Sequence, residues 1–170
     1  MSARATVRRA LWGGWAVWLL ALPSALSGQD GEPERLRIGL TFGSTALVGV
    51  SVEYVWNRTA LEVDLGTWAF RDVSVAVSGK QYIGQGRVQG FVGLGLWNVT
   101  ASQEAGVGSA LILRAPIGLE VETFDEVDLG AELNVSRALW IRRADPEDVR
   151  PPRSRIVPLP GFYLKWAQVR

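Results

Sequence analysis

The sequence contains no cysteine and no histidine. Without cysteine there is no disulfide framework, no thiolate metal site, no thiol nucleophile and no lipoprotein-type acylated N-terminus. Without histidine the commonest general base and the commonest metal ligand are missing, so neither a metal nor another cofactor is expected. An excess of charge of one sign is lacking too. The 18 basic and 17 acidic side chains leave a net charge of +1, which supplies no field for a nucleic-acid partner. From Arg35 onward no stretch carries a helical period of apolar residues.

What is present divides the 170 residues into three parts. Arg4, Arg8 and Arg9 precede an apolar run, Ala10–Leu22, which Pro23-Ser24 breaks. Ala25-Leu26-Ser27 then offers small residues for cleavage, so residues 1–27 are expected to be an export signal. The run of about 13 residues is too short for a membrane anchor, which needs about 20. Residues 28–34 read as a polar lead-in, and residues 35–170 as one domain.

The stretch Thr45–Phe70 reads as two strands joined by Asn57-Arg58. Pairing across that turn sets Tyr54 opposite Leu61, Val52 opposite Val63 and Val50 opposite Leu65. The interleaved positions set Glu53 opposite Glu62, Ser51 opposite Asp64 and Gly49 opposite Gly66. One face of the ribbon is therefore apolar and the other acidic or small. The same two-faced alternation continues through eight segments. They begin with Arg35–Phe42 and include Val73–Ser78, with a bulge expected at Gly79–Tyr82. Arg87–Asn98, Ala110–Glu122 and the run from Val127 follow. The last is Arg155–Val169, whose first half Pro158 and Pro160 are expected to make irregular or place beyond the ladder.

An even number of long strands, all joinable by hairpins, predicts an all-β fold: a closed, antiparallel, up-and-down, eight-stranded barrel. Two barrels fit the period. A lipocalin-like soluble carrier, periplasmic or secreted, would turn the apolar face inward around an apolar ligand. A transmembrane barrel would turn it outward. Three features favour the second. The polar face is built mainly of Gly, Ser, Thr and Ala, which suit a cramped lumen. Aromatic residues (Phe42, Tyr54, Trp56, Trp68, Trp97, Trp140 and Trp166) fall towards strand ends, as in an interfacial girdle. Short turns alternate with the longer loops Thr100–Ser109 and Ile141–Ser154.

In strand count, alternation and loop asymmetry, residues 35–170 resemble the small eight-stranded outer-membrane barrels of the OmpA/OmpX-like class. Members of that class usually end on an aromatic residue. Here Phe162, Leu164 and Trp166 keep the apolar alternation, but the chain ends on Arg170. The resemblance implies export to the outer membrane of a Gram-negative cell and contact with outer-membrane lipid. It is pattern-based and brings no catalytic motif.

The face assignment places Arg35, Arg37, Lys80, Arg87, Arg114 and Lys165 in the lumen with Glu53, Glu62, Asp64, Glu120, Asp128 and Glu132. Arg35 is expected opposite Glu53, and Lys80 opposite Glu62. Eight strands leave a lumen only wide enough for side chains, so an ion-paired plug and no open pore is expected. Glu53 with Glu62 is the one acid–base pair that an enzyme reading could use. Barrel interiors carry such charges for structure, and no enzyme is expected. Gly84-Gln85-Gly86 lacks the βαβ setting of a dinucleotide site. Arg142, Arg143, Arg150, Arg153 and Arg155 form the candidate interaction surface, suited to lipopolysaccharide phosphates or an acidic partner. A monomer is expected, and no protein partner is specified.

Overall fold

A computed structural model describes residues 34–103, 106–124, 127–145 and 155–169. The expected export signal, and the lead-in up to residue 33, lie outside them. Eight antiparallel strands form one closed barrel in sequence order. They are β1 (Arg35–Gly43), β2 (Ala46–Trp56), β3 (Thr59–Thr67), β4 (Asp72–Ile83), β5 (Val88–Gln103), β6 (Gly106–Phe124), β7 (Val127–Arg142) and β8 (Ile156–Val169).

The β2–β3 hairpin has the register read from the sequence, from Gly49 opposite Gly66 to Tyr54 opposite Leu61. Asn57 and Arg58 both have positive φ, 44° and 64°. That is the two-residue turn whose twist matches the flanking strands. The second position of such a turn favours glycine; here it carries arginine, in a conformation that costs a β-carbon-bearing residue about 1–2 kcal/mol.

Sidedness is opposite to that of a soluble carrier. Val50, Val52, Val63 and Leu65 are 41–51% exposed and point away from the lumen. So do Ile38, Leu40, Val75, Val77, Leu94, Leu96, Leu119 and Leu133. Interleaved with them, the buried side chains are mostly charged, polar or aromatic, including Arg37, Glu53, Ser78, Lys80, Tyr82 and Arg114, with small ones such as Ala60 and Ala76. The lipocalin-like alternative needed those valines around a cavity, and the structure turns them out.

Several expectations about local structure are corrected. No bulge interrupts Gly79–Tyr82: its pairing with β3 and β5 runs without a shift. The alternation there is intact but disguised. Outward positions hold Gly79 and Gln81, whereas Lys80 and Tyr82 turn into the lumen. The segment Thr100–Ser109 is largely strand, because β5 and β6 continue pairing as far as Gln103 opposite Gly106. The long β5–β7 wall thus rises above the shorter β1–β4 wall. The first half of β8 is regular too, with Pro158 opposite Val135 and Pro160 opposite Leu133.

The prolines fit for a directional reason. Ser44 N–H donates to the Pro160 carbonyl (2.8 Å), so Pro160 faces β1 with its backbone polar groups, and Pro158, two residues away, faces the same side. β1 pairs with β8 only from Gly161 onward. Their absent N–H groups therefore fall on the side where no full strand partner waits.

The girdle is corrected in part. Phe42, Tyr54, Trp140 and Trp166 are exposed on the outer surface. Trp97 instead lies buried in the lumen, its indole donating to Ser74 Oγ (2.7 Å). Trp68 stacks on it at 6.4 Å between ring centroids and donates to the Thr45 carbonyl. Their indole N–H groups need partners when buried, and the small inward residues of β4 leave room for the rings.

Candidate functional site

Inward positions two residues apart carry the charges, so each strand delivers a short column of polar side chains to the axis. Ten of the sequence-derived lumen residues meet there: Arg37, Lys80, Arg114 and Lys165 with Glu53, Glu62, Asp64, Glu120, Asp128 and Glu132. The formal balance is four cations against six carboxylates.

The network has two lobes with a lysine between them. Arg37 reaches Glu53 (2.6 Å), Asp128 (2.9 Å) and Glu120. Arg114 reaches Asp64 (2.5 Å) and Glu132 (3.4 Å), and its Nε donates to Asn134 Oδ1 (2.8 Å). Lys165 sits between Glu53 (2.9 Å) and Glu62 (2.5 Å), and Lys80 adds a second contact to Glu62 at 2.7 Å. Glu53 and Glu62 are register partners across the hairpin. A like-charged pair would open the ribbon there, and Lys165, reaching over from β8, removes the conflict.

Charges so deep in protein need full partnering, since an unpaired one costs several kcal/mol. Hydroxyl and amide groups add to it, leaving the Arg37 Nε and Glu132 Oε2 as buried atoms of the network without a hydrogen bond. Tyr82 donates to Glu53 (2.8 Å), Tyr163 to Glu120 (2.9 Å), and Ser44 to Glu132 (2.7 Å). Lys80 Nζ lies 4.5 Å from the Phe91 ring centroid, and Lys165 Nζ 4.4 Å from that of Tyr163. Glycines on neighbouring strands make room for these rings. A β-carbon on Gly130 would stand 2.0 Å from the Tyr163 ring, and one on Gly118 would stand 2.5 Å from that of Phe91.

Two residues assigned to the lumen are elsewhere. Arg35 and Arg87 are exposed at the end of the barrel that holds the β2–β3 and β4–β5 turns. The register explains Arg35: Arg37, not Arg35, is opposite Glu53, because Gly43 pairs with Ala46 across a two-residue turn and a bulge then leaves Leu47 without a register partner, so that Phe42 pairs with Val48. Arg87 precedes β5 and belongs to the turn. Lys80 pairs in the ladder with Ala60 and reaches Glu62 diagonally.

Sequence reading passed over Tyr82, Tyr163, Asn134 and Ser44 as members of the network. For Tyr163 and Asn134 the signal was available in their parity with Lys165 and Glu132. Of the candidate loop arginines, Arg142 is exposed and ends β7, opposite Ser109. Arg143 is half-buried, and with Arg142 and Asp145 it borders a cavity of about 330 Å³ against the β5–β6 extension. Arg155 is exposed just before β8. Arg150 and Arg153 lie outside the described residues.

Chemically the arrangement gives each of the six carboxylates a cation contact, although the acids outnumber the cations. Glu53 and Glu62, the pair an enzyme reading would use, share one lysine at the buried centre. No protein-family model matches the sequence, and no curated protein matches it. Among solved structures the chain is similar to the crystal structure of Neisserial surface protein A (NspA), at 13% identity over 81% of this chain and 99% of that one, with a TM-score of 0.47.

Proposed function

We propose that this chain is a barrel protein of the Gram-negative outer membrane, with a plugged, ion-paired lumen. In this reading it is a non-catalytic structural and interaction protein of the cell envelope, acting through its loops. One observation carries the membrane assignment: the apolar rows face outward around the whole girth while the charges face in. In water each such Val or Leu would forgo about 1.5–3 kcal/mol of burial. A soluble monomer rarely shows an apolar patch beyond a few hundred Å². Lipid supplies the missing contact, and the closed ladder leaves the wall free of strand edges at membrane depth.

The plug follows from the lumen contacts. Arg37 with Glu120, Lys80 with Glu132, Arg114 with Asp64 and Lys165 with Glu62 each join strands that are not neighbours in the wall, so a passing ion would have to break buried pairs. Function then falls to the loops. Arg142, Arg143, Arg150, Arg153 and Arg155 suit lipopolysaccharide phosphates, the partner chemistry assigned to that rim, and one copy of the chain suffices.

Fractionation and conductance test the proposal together. Expressed with its N-terminal segment, the protein should sediment with outer membranes and require detergent for extraction. In planar bilayers it should give no large single-channel currents. Recovery from the periplasm without detergent would refute the membrane reading, and large steady currents would refute the plug.

A further inference from the structure

At the end of the barrel opposite the β7–β8 connection, the β2–β3 and β4–β5 turns frame a cavity of about 260 Å³. Arg35, Arg37, Arg58 and Arg87 line it, with Glu122 as the one acidic residue of the lining. The four arginines come from β1, the β2–β3 turn and the β4–β5 turn, so three separate parts of the chain bring arginines to the lining of one space. Among the described residues Arg35, Arg58 and Arg87 have no ion-pair or hydrogen-bond partner for their side chains. Arg37 is almost fully buried behind them. Its Nη atoms serve the lumen carboxylates, but its Nε is buried without a protein partner.

This crowding of like charge is unfavourable as it stands. Three guanidinium groups facing one carboxylate repel one another, and turns of this kind tolerate many neutral residues. Arg58 adds a second cost, since it holds a left-handed conformation at a position that favours glycine. Glu120 and Asp128 border the adjoining space but already pair with Arg37, so among the described residues Glu122 is left to balance the other three, and it cannot do so alone. An anion with several oxygens would, because guanidinium forks match phosphate geometry in pairs of hydrogen bonds. The volume is below that of drug-sized ligand pockets, which selects a small group over an extended ligand.

We propose that this mouth is a binding site for a phosphate group, held by Arg35, Arg58 and Arg87, with Arg37 buried behind them. The group can be free inorganic phosphate or the headgroup phosphate of a lipid curling over the rim. Both present the same oxygens. In the outer-membrane reading the short-turn end is the periplasmic one; the binding site itself does not depend on that reading.

The test uses the full chain in dodecyl maltoside micelles, titrated with inorganic phosphate and followed by calorimetry and ³¹P line broadening. Saturable binding is expected. The double variant Arg58→Gln/Arg87→Gln should weaken it by about tenfold for each guanidinium removed. Glu122→Gln should tighten it, an opposite sign that misfolding would not produce. Arg155→Gln, at the other end of the barrel, should leave it unchanged. Repeating the titration in phosphatidylglycerol vesicles separates the sources: a headgroup in the site blocks added phosphate, whereas an empty site still takes it up. Absence of saturable binding in micelles, or equal affinity in the double variant and the parent, would overturn the assignment.

Discussion

Replacing Lys165 by methionine removes the cation that, alone among the described residues, ion-pairs with both Glu53 and Glu62. Its Nζ stands 2.9 Å from one carboxylate and 2.5 Å from the other, with no exposed surface on the residue. Methionine keeps the volume and deletes the charge. Glu53 then keeps Arg37 and Glu62 keeps Lys80, but the two acids face each other in register with nothing between them. The lumen balance falls from four cations against six acids to three against six. Breaking a buried pair by removing one partner costs about 3–5 kcal/mol. The converse change, Glu53→Gln, moves the balance towards neutrality and leaves Lys165 on Glu62 and Arg37 on Glu120 and Asp128. It should cost about 1–3 kcal/mol, the scale of one impaired buried hydrogen bond. The combined variant should be less damaged than the sum of the two, because they share one interaction. Urea unfolding in lipid vesicles, read by tryptophan fluorescence, gives all three values. If Lys165→Met costs under about 1 kcal/mol, or Glu53→Gln costs more than Lys165→Met, the acid-rich lumen does not depend on this lysine and the argument fails.

Three further outcomes are expected. Gly130→Ala pushes a β-carbon into the Tyr163 ring and should cost about 1–3 kcal/mol; the same change in a Tyr163→Leu background should be nearly silent in the unfolding assay. Val63→Arg on the outer wall should cost about 2–4 kcal/mol in a bilayer if it sits at mid-depth, and a variant as stable as the parent in vesicles would count against a lipid-facing surface there. Deleting residues 146–154, between the described end of the β7 side and Arg155, should leave the barrel folded by circular dichroism while changing its binding to lipopolysaccharide; loss of the β-sheet signal would assign that segment to the wall.

The barrel was legible because a strand has a period of two and the hairpin turn fixes its register. A slip of one residue would have moved Val50, Val52, Val63 and Leu65 to the face of Glu53 and Asp64, so the pattern admits one pairing. Period alone carries no direction, however, and in from out required the closed wall. The site was legible wherever a long charged residue kept parity, as Lys80, Arg114 and Lys165 do. It failed at the ends. Arg35 shares the parity of Arg37, but the lumen stops between them. Trp97 and Trp68 were misplaced because an aromatic residue near a strand end serves a girdle or a lumen equally well, and only the small residues on the neighbouring strand decide which. Tyr82 was hidden by Gly79 and Gln81, polar or absent side chains on a face otherwise marked by valine.

The two prolines of β8 bear on what the uneven rim can recruit. Above Gly161 the strand runs beside β7 and, among the described residues, has no strand partner on its other flank; such a flank ordinarily templates the next strand. A newcomer docking there would find carbonyls at residues 158 and 160 but no amide to answer its own, and one of those carbonyls is already taken by Ser44. Each repeat of the incoming ladder would lose a donor where it needs one. The taller wall can therefore project past its neighbours without seeding fibres or swapped dimers, and substituting Pro158 and Pro160 with valine would reopen that flank to self-association.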